Sequence, residues 1–167
     1  KASTRRQISE TVDRINLILE ERRFSTITVD ELAAILGESP NVLMKRYRRE
    51  MHESIIEHFL TLKLQSAIQL MLSSDMNFTE ISELLSFSSV NYFSKFFKKN
   101  FGKTPLSYIN EYRIEKAARK LRLTDMSVTE IAYSSGFSDL SYFIKTFKKI
   151  NEIFADSTQY PLRADKH

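Results

Sequence analysis

Asn41, Met44, Lys45 and Arg48 are spaced three and four residues apart. The pattern returns as Asn91, Ser94, Lys95 and Lys98, and again as Ser141, Ile144, Lys145 and Lys148. On a helix this spacing puts each set on one face. Such side chains do recognition chemistry, since amide, ammonium and small apolar groups bond to or touch a partner. A helix of this kind fits the major groove of a duplex, where Lys contacts guanine O6/N7, Asn pairs with adenine, and Ile or Met touches the thymine methyl. The candidate base-contacting residues are therefore Asn41, Met44, Lys45, Asn91, Ser94, Lys95, Ser141, Ile144 and Lys145. Arg48, Arg49, Lys98, Lys99, Lys148 and Lys149 sit near the helix ends and are candidates for phosphate contacts. Those contacts position a protein and tie its affinity to salt without reading sequence.

The opposite face of each helix is apolar: Leu43 and Tyr47, Phe93 and Phe97, Phe143 and Phe147. A solvated charged face is the plain alternative for any one helix, but three copies with the same polarity argue against it. The anchors Leu43, Phe93 and Phe143 recur every 50 positions, so one supersecondary unit is reused. Each copy opens with a shorter helix that has acid in its first turn, beginning Val29-Asp30-Glu31-Leu32-Ala33, Phe78-Thr79-Glu80-Ile81-Ser82 and Val128-Thr129-Glu130-Ile131-Ala132. Acid there suits the helix dipole. The pattern predicts three helix-turn-helix units.

Local signals place the boundaries. Thr28-x-x-Glu31, Asn77-x-x-Glu80 and Ser127-x-x-Glu130 read as capping boxes, which is a structural role for the three glutamates. Gly37 and Gly136 suit a left-handed exit from the first helix, whereas Ser86 at the same place should cost roughly 1 kcal/mol. Ser39-Pro40, Ser88-Ser89 and Ser138-Asp139 restart the chain as second helices, after a turn one residue shorter in copy one. Ile8, Val12, Ile15 and Leu19 predict an amphipathic helix over residues 6–22, before a break at Ser25-Thr26. Longer linker helices are expected over 55–72, with a core stripe of Ile56, Phe59, Leu60, Ala67, Leu70 and Met71, and over 105–122, with Ile109, Tyr112, Ala117 and Leu121. Asp75 and Asp125 follow them at matching positions. The expected divisions are residues 1–75, 76–125 and 126–167, in an all-α fold of tandem, homeodomain-like helix-turn-helix units joined by long linker helices.

Composition narrows the partners and chemistry. The chain has 167 residues, 42% of them hydrophobic, with only three Gly and three Pro. That is enough for a real core and too few turn residues for a sheet. A net charge of +4 is mild support for a polyanionic partner; the clustering of Lys and Arg on the second helices carries more. With no cysteine there are no disulfides, thiolate metal sites or thiol nucleophiles. His52, His58 and His167 show no metal-ligand spacing, so neither metal nor cofactor is expected. No run is long and apolar enough for a membrane span and no signal peptide opens the chain, so no membrane partner is expected and a cytoplasmic setting is. A start at Lys1 rather than Met suggests a fragment of a longer protein.

Ser127-Val128-Thr129-Glu130-Ile131-Ala132, then Gly136-Phe137-Ser138-Asp139, Ser141-Tyr142-Phe143 and Phe147-Lys148-Lys149, resembles the second helix-turn-helix signature of AraC/XylS transcription regulators. Phe101-Gly102-Lys103-Thr104-Pro105 and Arg113-Ile114-Glu115-Lys116-Ala117 resemble that family's segments beyond a recognition helix and in its linker helix. The resemblance covers residues of about 8–150. It implies two helix-turn-helix subdomains joined by a linker helix, with recognition helices in successive major grooves. It also implies promoter or operator DNA and RNA polymerase as partners, and an effector or dimerisation domain outside this chain.

Three units stand here where the family has two. Residues 8–113 would make one complete family domain, while 76–150 fit the signature more closely by residue type. His52 occupies the place of Gly102, so an altered turn is expected there. The expected function is sequence-specific binding of double-stranded DNA. A rival is a protein-interaction unit, which would show no salt-dependent affinity for duplex. An enzyme is not expected: the DNA alkyl-repair chemistry found on this fold needs a cysteine acceptor.

Overall fold

The computed structural model describes residues 8–155. The first residues of the helix expected over 6–22, His167 and the polar tail from Pro161 lie outside the described residues. Every element among those described is an α-helix: α1 (Glu10–Glu21), α2 (Val29–Leu36), α3 (Pro40–Met51), α4 (Ile55–Ser73), α5 (Phe78–Leu84), α6 (Val90–Phe101), α7 (Pro105–Leu123), α8 (Val128–Ser134) and α9 (Leu140–Ala155). The chain divides into two compact units, Lys1–Asn100 and Phe101–His167. The first holds copies one and two with α4 between them. The second holds α7 and copy three.

In the first unit α1 starts at Glu10, later than the periodicity alone suggests, because Ser9 is its cap. The Ser9 hydroxyl accepts from the Val12 amide at 3.4 Å, and the Ser9 amide donates to the Glu50 carboxylate at 2.9 Å. Val12, Ile15 and Leu19 enter one core with Leu32, Leu43, Tyr47, Ile55, Phe59 and Leu62. Each fully buried side chain of this size contributes about 1.5–3 kcal/mol. Helix α4 packs against α1, α3 and α5, so it buries a wide arc, including Leu62, Leu64 and Ser66. Ile56, expected in its core stripe, is exposed instead. Copy two is closed by aromatic rings, Phe87 to Phe93 at 5.2 Å and Phe93 to Phe97 at 5.9 Å between centroids, both edge-on. Such pairs add about 0.5–1.5 kcal/mol each beyond burial.

In the second unit Ile114, Ala117, Ile131, Ala132, Phe137, Phe143 and Ile150 form the core. Helix α7 packs on α8 and α9 and buries Ile109, Asn110, Ile114 and Ala117. Tyr112 and Leu121, expected in its apolar stripe, are exposed because the buried arc is narrow. Helix α9 runs on to Ala155, whereas α6 stops at Phe101. Gly102, with φ of 73°, follows the end of α6; the residue at that place in copy three is Glu152, and the helix continues through it.

All three expected capping boxes form, at Thr28 with Glu31, Asn77 with Glu80 and Ser127 with Glu130; Ser54 and Glu57 make a fourth at the head of α4. Ser86 takes the left-handed conformation expected of it, with φ of 56°, as Gly37 does at 69° and Gly136 at 97°. His52 does not alter the turn it occupies. Its φ is 62°, and its amide reaches the Arg48 carbonyl at 3.0 Å, the left-handed exit that Gly102 also takes. Histidine is among the residues that tolerate this region best.

Candidate nucleic-acid interface

Helix α3 is aimed by its two ends and its buried face. The Ser39 hydroxyl accepts from the Val42 amide at 3.4 Å and Pro40 starts the helix, with its ring in place of an unneeded donor. Leu43 and Tyr47 are fully buried, and the Tyr47 hydroxyl donates to Asn16 of α1 at 2.7 Å. Burial raises the Tyr47 phenol well above its usual range, so it stays a neutral donor. Asn41, Met44, Lys45, Arg48 and Arg49 are left exposed on the far side. Arg46 is not on that face. It donates to Thr11 of α1 at 2.8 Å and to Glu38 in the turn at 2.6 Å, which makes it a brace between α1, the turn and α3. Arg49 bonds Glu50 at 3.2 Å, so its head is partly engaged within the unit.

Helix α6 repeats this arrangement. The Ser89 hydroxyl accepts from the Tyr92 amide at 3.1 Å, Phe93 and Phe97 are fully buried, and Asn91, Lys95, Lys98 and Lys99 are exposed. Ser94 is half-buried, the one candidate without full exposure. In the second unit, Asp139 accepts from the Tyr142 amide at 2.5 Å at the start of α9. Phe143 is buried, and Ser141, Ile144, Lys145, Lys148 and Lys149 are exposed. The structure thus brings each set of candidates to one helix face, with copies one and two presenting the same Asn and Lys one turn apart.

The charges are sorted in space. Arg23, Arg46, Arg49, Lys103 and Arg119 are held in ion pairs with carboxylates. Lys45, Lys95, Lys98 and Lys145 are not among them. The acids of the first helices are turned to capping: backbone amides of Thr28 and Ser127 hold the Glu31 and Glu130 carboxyls below their usual range. Among the described residues no group of His, Asp and Glu could hold a metal ion, and no helix is long and apolar enough to cross a membrane.

Lys63 lies four residues from Phe59 and four from Ala67, on the buried stripe of α4, and only 2% of it is exposed. A lysine at the i+4 step of an apolar stripe is the mark it leaves in the sequence.

A family profile described as a helix-turn-helix domain matches residues 32–110 and again residues 97–156. The chain belongs to the AraC/XylS family. The two matches fall on copies one and two, and on the end of copy two with α7 and copy three. Curated relatives of this AraC/XylS chain include the MmsAB operon regulatory protein of Pseudomonas aeruginosa, 29% identical over 100 residues, covering 60% of this chain and 33% of that protein. The xylose operon regulatory protein of Escherichia coli K12 is 34% identical over 79 residues, covering 47% of this chain and 20% of the relative. The chain therefore spans a third or less of the length of these two relatives. Among solved structures, the C-terminal domain of AraT, a response regulator from Geobacillus stearothermophilus, superposes with a TM-score of 0.58 at 27% identity, over 61% of this chain and 85% of that one. The DNA-binding domain of AdpA, in complex with a target DNA, shares the fold at a TM-score of 0.60 and 21% identity, over 65% of this chain and 97% of that one. That domain is nearly used up by the match while this chain is not. Family and fold are those of transcription regulators rather than enzymes.

Proposed function

We propose that this chain is the DNA-binding part of a transcription regulator, and that α3 and α6 enter successive major grooves of one duplex. Asn41, Met44, Lys45, Asn91, Ser94 and Lys95 face base edges in this reading, with Arg48, Arg49, Lys98 and Lys99 on phosphates. Ser141, Ile144, Lys145, Lys148 and Lys149 are the corresponding groups of α9. The observation that carries the reading is the shared face of α3 and α6 within one compact unit: Asn and Lys exposed one helical turn apart, backed by a fully buried pair. Asn pairs with adenine and Lys contacts guanine, so each half-site holds both bases. The reading extends to RNA polymerase as a partner, to an effector or dimerisation domain elsewhere in a longer protein, and to the cytoplasm.

Selection of duplexes from a random pool, followed by footprinting, tests it. Two engaged units and three differ in footprint by about 10 base pairs. Lys95→Ala is expected to cost about 1–3 kcal/mol on the selected site and to relax preference at one position. Equal binding of selected and scrambled duplexes by the wild type would refute the reading. A second reading, with copy three on a protein rather than DNA, draws on the exposed apolar Leu121, Leu123, Met126 and Val128 near the start of α8. Deleting residues 127–167 separates the two, since specific affinity survives only if copies one and two suffice.

A further inference from the structure

The ammonium of Lys63 touches two segments that are distant in the chain. It donates to the carbonyl oxygen of Ser25 at 2.7 Å, in the stretch leading to α2, and to that of Leu85 at 2.5 Å, where α5 ends. It also lies 4.7 Å from the centre of the Phe59 ring. Among the described residues no carboxylate is paired with it. Holding a cation in such a place is costly, and burial pulls its pKa down to about 8. An apolar side chain of the same length would fill the space without that cost. The return for the charge is directional: each bond fixes one carbonyl relative to α4.

Those two carbonyls belong to different copies. Ser25 leads through buried Ile27 to the Thr28 cap of α2, on which α3 packs. Leu85 leads through Ser86 and buried Phe87 to Ser89, which caps α6. A second link joins the same segments, the Ser86 hydroxyl donating to the Phe24 carbonyl at 3.3 Å. We propose that Lys63 is a positioning residue that sets the separation and rotation of α3 relative to α6, and hence the half-site spacing the protein accepts. The proposal rests on the reading that both helices engage one duplex.

The test uses the full chain and the duplex it selects from a random pool. Its two half-sites are moved apart or together by one and two base pairs, and affinity is measured at each spacing. The wild type is expected to lose about tenfold per added base pair, because the helices cannot follow the rotation of the grooves. Lys63→Met should flatten that profile to within about threefold while binding a duplex with one half-site as the wild type does. A uniform drop at every spacing, or an unchanged profile, would overturn the proposal. Ser86→Ala, which removes only the second link, covers the case in which Lys63→Met does not fold; a partly flattened profile supports the proposal and an unchanged one overturns it. A wild type with sequence preference but no spacing preference would refute the two-groove reading itself, and the proposal with it.

Discussion

The turns that follow α5 and α8 occupy equivalent places in the repeat and are filled by different pairs of residues. After α5 the left-handed position is Ser86, and the side chain arriving from the linker helix is Lys63. After α8 the position is Gly136, and a Cβ placed there would lie 2.9 Å from Nε of Arg113, the residue matching Lys63 in the repeat. A guanidinium is broad and planar while an ammonium stem is slender. The glycine thus makes room for the arginine, and the lysine leaves room for a serine. Copy three also has an exposed version of the clamp: Lys120 in the last turn of α7 donates to the Ser134 carbonyl at 2.9 Å and to its hydroxyl at 2.6 Å. A helix-to-turn tie is thus buried in one unit and solvated in the other, from different positions along the linker helix. The two should differ sharply in what they contribute.

The largest expected effect is at the buried tie. Lys63→Ala removes the filling stem and leaves two inward carbonyls without their donor, so the first unit should lose about 3–5 kcal/mol by denaturant titration. The pH dependence carries the same signature. Lys63 has a pKa of about 8 when folded against an ordinary 10.5, so between those values the unfolded chain holds a proton the folded one has shed. Its contribution therefore makes stability rise with pH across that window, and the rise should vanish in the variant. A wild type and variant with parallel pH profiles would show that the ammonium is better solvated than its burial implies.

Gly136→Ser comes next. It puts a side chain against Arg113 in a backbone region that disfavours it, with an expected loss of about 2–3 kcal/mol in the second unit. Adding Arg113→Lys should restore about half of it, since that recreates the pairing found after α5. No restoration would mean that room for the side chain is not what separates the two turns. Ser86→Gly is the reverse exchange. It relieves left-handed strain but gives up the bond to Phe24, for a net gain under about 1 kcal/mol in the midpoint. The smallest effect belongs to Lys120→Ala, at about 0.5 kcal/mol, because an exposed amine exchanges its carbonyl bond for water. A loss as large as at Lys63 would erase the contrast between the two ties.

Much of this architecture was open to reading along the chain. The capping boxes at Thr28, Asn77 and Ser127 each close within three residues, and the pairs Leu43/Tyr47 and Phe93/Phe97 follow from helical spacing. Local hydrogen bonding and periodicity decide such features, so a short window of sequence contains their cause. The exposure of Ile56, Tyr112 and Leu121 was not legible, since an apolar residue on a helix is buried only if a neighbour covers it. The head of α1 was hidden for a related reason: Ser9 is capped in part by Glu50, from the far end of α3.

By itself the sequence determined the helical class, the threefold repeat and the exposed faces that make up the candidate site. These depend on side chains a few positions apart on one rigid cylinder. Tertiary structure alone decided that Arg46 braces Thr11 and Glu38 instead of joining the exposed face, and that Lys63 ties Ser25 to Leu85. All but the bond from Arg46 to Glu38 join residues far apart in the chain. They form only when packing brings both ends together, because a directional bond has no strength until donor and acceptor are within reach.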